Sequence, residues 1–271
     1  MSRGAGGQAS GYASFMTSRQ RYAYGSDPSQ WAELFLPDGY GHPDSVGIAG
    51  VAVVIHGGYW RSTYGAELGE PLAADLAAHG IPAWNLEYRR MGNGGGWPQT
   101  FADIAAGIDA LSEPASVHGL DLSRVVALGH SAGGQLAVWA AGRSAFPAGA
   151  VGANPAVPLS GVVSASGVLN LAQAKQLRLS GGAVKKLLGR KVSLADPMEA
   201  LPLPVPVYAV HALNDQHVPA SQSHSYVEAA LRSGAEAHLV EVPGDHFDLI
   251  DVSSDAYSVC RGLVRRLMQR A

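Results

Sequence analysis

Gly129-His130-Ser131-Ala132-Gly133-Gly134 carries the pattern G-x-S-x-G between an apolar run, Val125-Val126-Ala127-Leu128, and a helix-forming stretch, Ala132–Ala141. A serine on a sharp strand-to-helix turn has its hydroxyl lifted clear of the sheet. The next N–H, that of Ala132, falls at a helix N-terminus, where it can stabilise developing negative charge. Ser131 is therefore a candidate nucleophile for attack on a carbonyl. Upstream, His56-Gly57-Gly58-Tyr59-Trp60 directly follows the apolar run Val51–Ile55. Two adjacent glycines at a strand end let backbone N–H groups point into a shared cavity, where an oxyanion could bind. A tight turn with an aromatic anchor is the other reading of these residues.

An oxyanion loop after an early strand, followed by G-x-S-x-G, resembles the chain order of the α/β-hydrolases, in which an acid and then a histidine follow the serine. Asp215 lies just past the strand candidate Val207–Val210, in Leu213-Asn214-Asp215-Gln216-His217-Val218. A carboxylate there can hold an imidazole in one tautomer and stabilise its charged form. His246, in Pro243-Gly244-Asp245-His246-Phe247, lies between the last strand and the final helix and is the candidate base. His211 and His217 are its rivals, but they sit too near Asp215 in sequence to bridge it to a serine on another strand. His130 is expected to pack under the turn, His56 to shape the glycine loop, and Asp245 to cap its own loop. His42, His79, His118 and His224 read as exposed. No H-E-x-x-H or other tight ligand spacing is present, so no metal site is expected.

The elements that must position these residues alternate. Trp31–Leu36, Val51–Ile55, Ile81–Leu86, Val125–Leu128, Val207–Val210 and His238–Val242 read as strands. Glu67–His79, Thr100–Leu111, Ala132–Ala141, Ser221–Ser233 and Ser254–Gln269 read as helices. The alternation predicts an α/β fold, a mostly parallel sheet with helices on both faces. Residues 1–20, rich in Gly, Ser and Ala, read as a flexible arm, residues 21–271 as the folded domain, and about 167–206 as a small cap insertion.

The whole chain has 271 residues, 47% of them hydrophobic and 15% charged, too apolar for disorder. Its net charge of −3 supplies no basic field for a nucleic acid. One cysteine, Cys260, excludes an internal disulfide framework. The sequence has no apolar run long enough for a membrane span and no secretory stretch, so a cytoplasmic protein, monomer or homodimer, is expected.

From about Tyr22 onward the chain resembles the α/β-hydrolase superfamily. HGGYW at 56–60 with GHSAGG at 129–134 resembles the kynurenine formamidase-like branch of serine hydrolases, which neighbours the hormone-sensitive-lipase-type esterases. Tyr59 stands where those esterases have a third glycine. Glu87-Tyr88-Arg89-Arg90, Gly94-Gly95-Gly96-Trp97-Pro98 and His246-Phe247 also look like segments of that branch. The resemblance implies an α/β-hydrolase fold and a triad of Ser131, Asp215 and His246. Its oxyanion donors would be the N–H groups of Gly58, Tyr59 and Ala132, with Gly57 shaping the loop. It implies hydrolysis of a small-molecule ester or amide with no cofactor. Trp60 and Trp97, on loops, are expected at the substrate pocket, with loop anchoring as their other role. Esters are the broader substrate class and a formyl amide the narrower one. A lyase, cyclase or acyltransferase on the same fold, or a ligand receptor, are the rivals, and the complete triad argues against both.

Overall fold

A computed structural model describes residues 18–41 and 50–270. Its strands are β1 (Ser18–Ala23), β2 (Trp31–Leu36), β3 (Val51–Ile55), β4 (Ala83–Leu86), β5 (Val125–His130), β6 (Gly161–Ala165), β7 (Val207–Ala212) and β8 (Ala237–Val242). They form one sheet in the order β1-β2-β4-β3-β5-β6-β7-β8. β1 and β2 run antiparallel to their neighbours, and every other pairing is parallel. The helices are α1 (Glu70–Ala78), α2 (Gln99–Asp109), α3 (Ser112–His118), α4 (Ala132–Ala141), α5 (Leu171–Gln176), α6 (Leu179–Leu188), α7 (Ser221–Arg232) and α8 (Asp255–Arg270).

The apolar strands are covered on both faces, as their lack of alternation demands. In β3, Val51, Val53 and Ile55 join the core that contains α2, α4 and α7, whereas Ala52 and Val54 join the one beneath α1 and α8. Helix α8 buries Ala256, Tyr257, Cys260, Val264, Leu267 and Met268, a stripe at helical spacing. Register then fixes the site. Ile55 pairs with Gly129, His130 with Ala165, Ala165 with Val210, and Ala212 with Val242. The loops leaving β3, β5, β7 and β8 therefore emerge along one edge of the sheet, at the carboxyl ends of parallel strands where open α/β sheets bind ligands.

The structure departs from the sequence reading at the periphery. β1 begins at Ser18, inside the expected arm, and pairs with β2. Almost every residue of β1 is exposed, so it lacks the alternation that marks a strand. Residues 1–17 and His42 lie outside the described residues. The segment 167–206, between β6 and β7, carries α5, α6 and two 3-10 turns, and buries Ala183, Val184, Leu187 and Leu188 in the core shared with α4. Among the described residues no helix is long and apolar enough to cross a membrane.

Candidate active site

Ser131 directly follows β5 at φ 55°, ψ −118°, and Ala132 opens α4. A non-glycine residue at positive φ costs on the order of 1–3 kcal/mol and persists only where its surroundings over-determine it. Here they do. The Ser131 N–H donates to the Ala165 carbonyl on β6 at 2.8 Å. A Cβ on Gly129 would strike the Gly133 carbonyl, and one on Gly133 would strike the backbone carbonyl of Ile55. The glycines of the motif are thus required by backbone packed on backbone.

The loop after β3 holds three successive residues at positive φ: Gly58 at 102°, Tyr59 at 48° and Trp60 at 55°. Only the first is a glycine, and the side chains of the other two are tied down. The Tyr59 hydroxyl donates to the His217 carbonyl at 2.6 Å, and the Trp60 Nε1–H donates to Gln135 Oε1 at 3.1 Å. Burial and the Asp215 charge push the Tyr59 phenol up to about 12, so it remains a donor. Trp60 is 0% exposed. Of its two expected roles, pocket wall and loop anchor, this burial supports the anchor: the ring belongs to the core. His56 lies at the base of the same loop, its Nδ1 donating to the Gly57 carbonyl at 2.9 Å and its Nε2 3.3 Å from Glu87 Oε1. Its ring stacks on Tyr88, whose hydroxyl donates to the His56 carbonyl at 2.8 Å. Gly57 is closely apposed to the elbow, because a Cβ there would lie 3.1 Å from Ser131 Cβ.

Asp215 and His246 meet across 31 residues. His246 Nδ1 is 2.6 Å from Asp215 Oδ2, and both side chains are almost fully buried. Asp215 Oδ1 accepts the N–H groups of His217 and Val218, each at 2.8 Å. Burial alone would raise the Asp215 carboxyl, but the bonds from His246, Val218 and Ser166 hold it well below the usual carboxylate range. The His246 carbonyl accepts His130 Nε2–H at 2.9 Å, and the two rings lie 4.4 Å apart. His246 thus sits against the residue that precedes Ser131. Burial, helped by His246, pushes His130 down to about 3 and keeps it neutral. His211 is used up by Ser223 Oγ and the Val218 carbonyl. His217 is exposed and packs its ring on His246 and Phe247. Asp245 caps its own loop, accepting from the Phe247 N–H at 2.8 Å.

One edge of the sheet thus gathers Ser131, Asp215, His246, Gly58, Tyr59 and Ala132. Trp97 packs its ring on Phe101 at 5.0 Å and, with Trp139, lines a cavity whose lining includes none of these residues. Sequence reasoning missed Glu87, Gln135 and Ser166. The charged run Glu87-Tyr88-Arg89-Arg90 at the end of an apolar strand was the available signal for Glu87. Among the described residues no group of three or more His, Cys, Asp or Glu side chains is placed to hold a metal ion.

Residues 38–230 match the BD-FAE family profile. The isoprenylcysteine α-carbonyl methylesterase ICME of Arabidopsis thaliana is 26% identical over 249 residues, 85% of this chain and 57% of that protein. The chain therefore spans little more than half the length of that curated relative. Among solved structures, a truncated carbohydrate esterase from gut microbiota superposes with a TM-score of 0.74 at 19% identity, covering 95% of this chain and 99% of that one. Esterase B from Lactobacillus rhamnosis gives a TM-score of 0.80 at 20% identity, covering 94% and 87%. These likenesses show that the sheet and its helices form the α/β-hydrolase fold.

Proposed function

The chain belongs to the BD-FAE family of α/β-hydrolase esterases, and from that premise we propose that it is a serine hydrolase of small neutral carboxylic esters, with Ser131 as nucleophile. One observation carries the reading: a strained serine at the end of β5, beside a buried His246–Asp215 pair joined at 2.6 Å. In the first step Ser131 Oγ attacks the ester carbonyl carbon while His246 Nε2 takes its proton. The oxyanion is held by the backbone N–H groups of Gly58, Tyr59 and Ala132. Collapse breaks the bond to the leaving oxygen, which receives the proton from His246, and an acyl-enzyme remains. Water then attacks the acyl carbon and gives its proton to His246. Collapse returns that proton to Ser131 and releases the acid. Asp215, ionised throughout, fixes the His246 tautomer and stabilises the imidazolium. The reaction as written needs no cofactor.

A second reading, hydrolysis of an N-formyl aryl amine, is favoured by Tyr59 in place of a third loop glycine. In that reaction the leaving group is an amine. Turnover of a short-chain p-nitrophenyl ester and of N-formylkynurenine, by the wild type and by Ser131→Ala, tests both. Ester turnover lost in the variant supports the esterase. Strong formamide turnover lost in the variant moves the assignment to the formamidase. Turnover that survives Ser131→Ala overturns both.

A further inference from the structure

Helix α4, capped by Ser131 at its start, ends beside a cavity to which the proposed mechanism assigns no step. This cavity, of about 490 Å³, lies between residues 144–151 and 193–200. Trp97, Trp139, Phe146 and Leu194 give it apolar walls, and its only ionisable lining residues are Asp196 and Glu199. Concave sites of roughly 300–1,000 Å³ with aromatic walls and few polar groups are the usual form of a small-molecule site.

The cavity's lining includes none of the residues placed at the Ser131 centre. Trp139 stands eight residues along α4 from Ser131, roughly 12 Å at the helical rise. Gln135, wholly buried, stands between them. Its Oε1 accepts from Trp60 and its Nε2 donates to the Ala195 carbonyl at 2.8 Å, so it bridges the β3 loop and the cap. One turn further on, Trp139 Nε1–H donates to the Leu194 carbonyl at 3.3 Å, which fixes the far wall. A wall held in this way is ordered before a ligand arrives.

The lining also sets the ligand's charge. Asp196 is committed to the N–H groups of Leu171, Ala172 and Met198, while Glu199 is exposed at the rim. The lining holds carboxylates and no Lys, Arg or His, which disfavours an anion; Lys175 and Arg190 line only the neighbouring depression that shares Ser193, Asp196 and Glu199. An ammonium gains from Glu199 and from the indole faces. We propose that this cavity is a second ligand site, which takes an arylalkylamine with its ring among Trp97, Trp139 and Phe146 and its ammonium at Glu199.

The test is isothermal titration of the full chain with 2-phenylethylamine and with 3-phenylpropionate, a closely similar anion. Both titrations are run before and after treatment with a serine-directed phosphonate. The amine is expected to bind saturably, one per chain, at millimolar concentration or below, equally well on treated protein, with the acid at least about tenfold weaker. Glu199→Gln should weaken the amine about two- to fivefold, the scale of an exposed ion pair. Phe146→Ala and the exposed Leu194→Ser should weaken it further. Absence of saturable binding, equal binding of the acid, loss of binding on phosphonate treatment, or indifference to all three substitutions would each overturn the proposal. A failure of the phosphonate to react bears on Ser131 alone, because the untreated chain still reports on the cavity.

Discussion

At its N-terminal end α4 meets backbone, and at its C-terminal end it meets side chains. Around Ser131 the contacts run through Gly129, Gly133 and the carbonyls of Ile55 and Ala165, with no room for a methyl group. Around Trp139 they run through rings, Phe101 at 4.9 Å and Phe146 at 5.5 Å, the second of which borders an open cavity. The difference separates two kinds of precision. Backbone packed on backbone fixes an atom's position and tolerates no substitution. Rings from scattered segments fix a shape and leave the exact residue negotiable.

Substitutions at the two ends should differ accordingly. The largest effect is expected of Ser131→Ala: turnover should fall by about 10⁴-fold or more and labelling by a fluorophosphonate should vanish, with the circular dichroism unchanged. Persistent labelling would put the nucleophile elsewhere. Gly133→Ala follows, because its Cβ meets backbone that cannot swing aside. Denaturant unfolding should show a loss of about 1–3 kcal/mol or more, and turnover should drop by about 10²-fold as the elbow shifts. Gly149→Ala, at the cavity end with nothing within 4 Å, should cost about 1 kcal/mol and leave turnover alone. Equal losses at the two glycines would erase the contrast.

Between the ends stands Gln135. Its replacement by Leu strands the Trp60 N–H and the Ala195 carbonyl, costs about 1–3 kcal/mol in unfolding, and should lower kcat about tenfold as the β3 loop loosens. Tyr59→Phe removes one hydrogen bond to the acid loop, worth about 0.5–1.5 kcal/mol, and should change kcat/KM only a few-fold. Unaltered kinetics there would reduce the hydroxyl to a surface contact. The smallest effect on neutral-pH turnover is expected of His130→Asn, whose signature is in stability. The folded His130 titrates at about 3 and an unfolded histidine at about 6.5. Below pH 6.5 the unfolded chain takes up a proton that the folded chain refuses, so stability is complete above that pH and declines as pH falls toward 3. Urea unfolding at pH 7.5 and pH 4.5 should show a smaller decline in the variant than in the wild type.

The same division explains what could be read from the sequence. Ser131 and the His56–Gly58 loop were legible because their glycines serve local backbone needs and the strands beside them are short apolar runs. Asp215 and His246 followed from chain order, each in a loop directly after a strand. Gln135 was not legible, because a lone glutamine in a small-residue helix carries no sign that its partners are Trp60 and Ala195. Ser166, which completes the cradle of Asp215, was hidden for the same reason. Trp60 was left between pocket wall and loop anchor because an aromatic on a loop looks exposed until its indole N–H finds a buried acceptor. Strand β1 escaped notice because an edge strand exposed on both faces has no alternation to detect.

The contact between Gly133 and Ile55 ties the geometry of Ser131 to tertiary assembly. The left-handed backbone at Ser131 exists only while α4 lies directly on β3, an element some 75 positions earlier in the chain. Before that docking, during synthesis or after partial melting, Ser131 is an ordinary serine hydroxyl. On the role proposed for Ser131, a covalent label there is expected to count completed molecules.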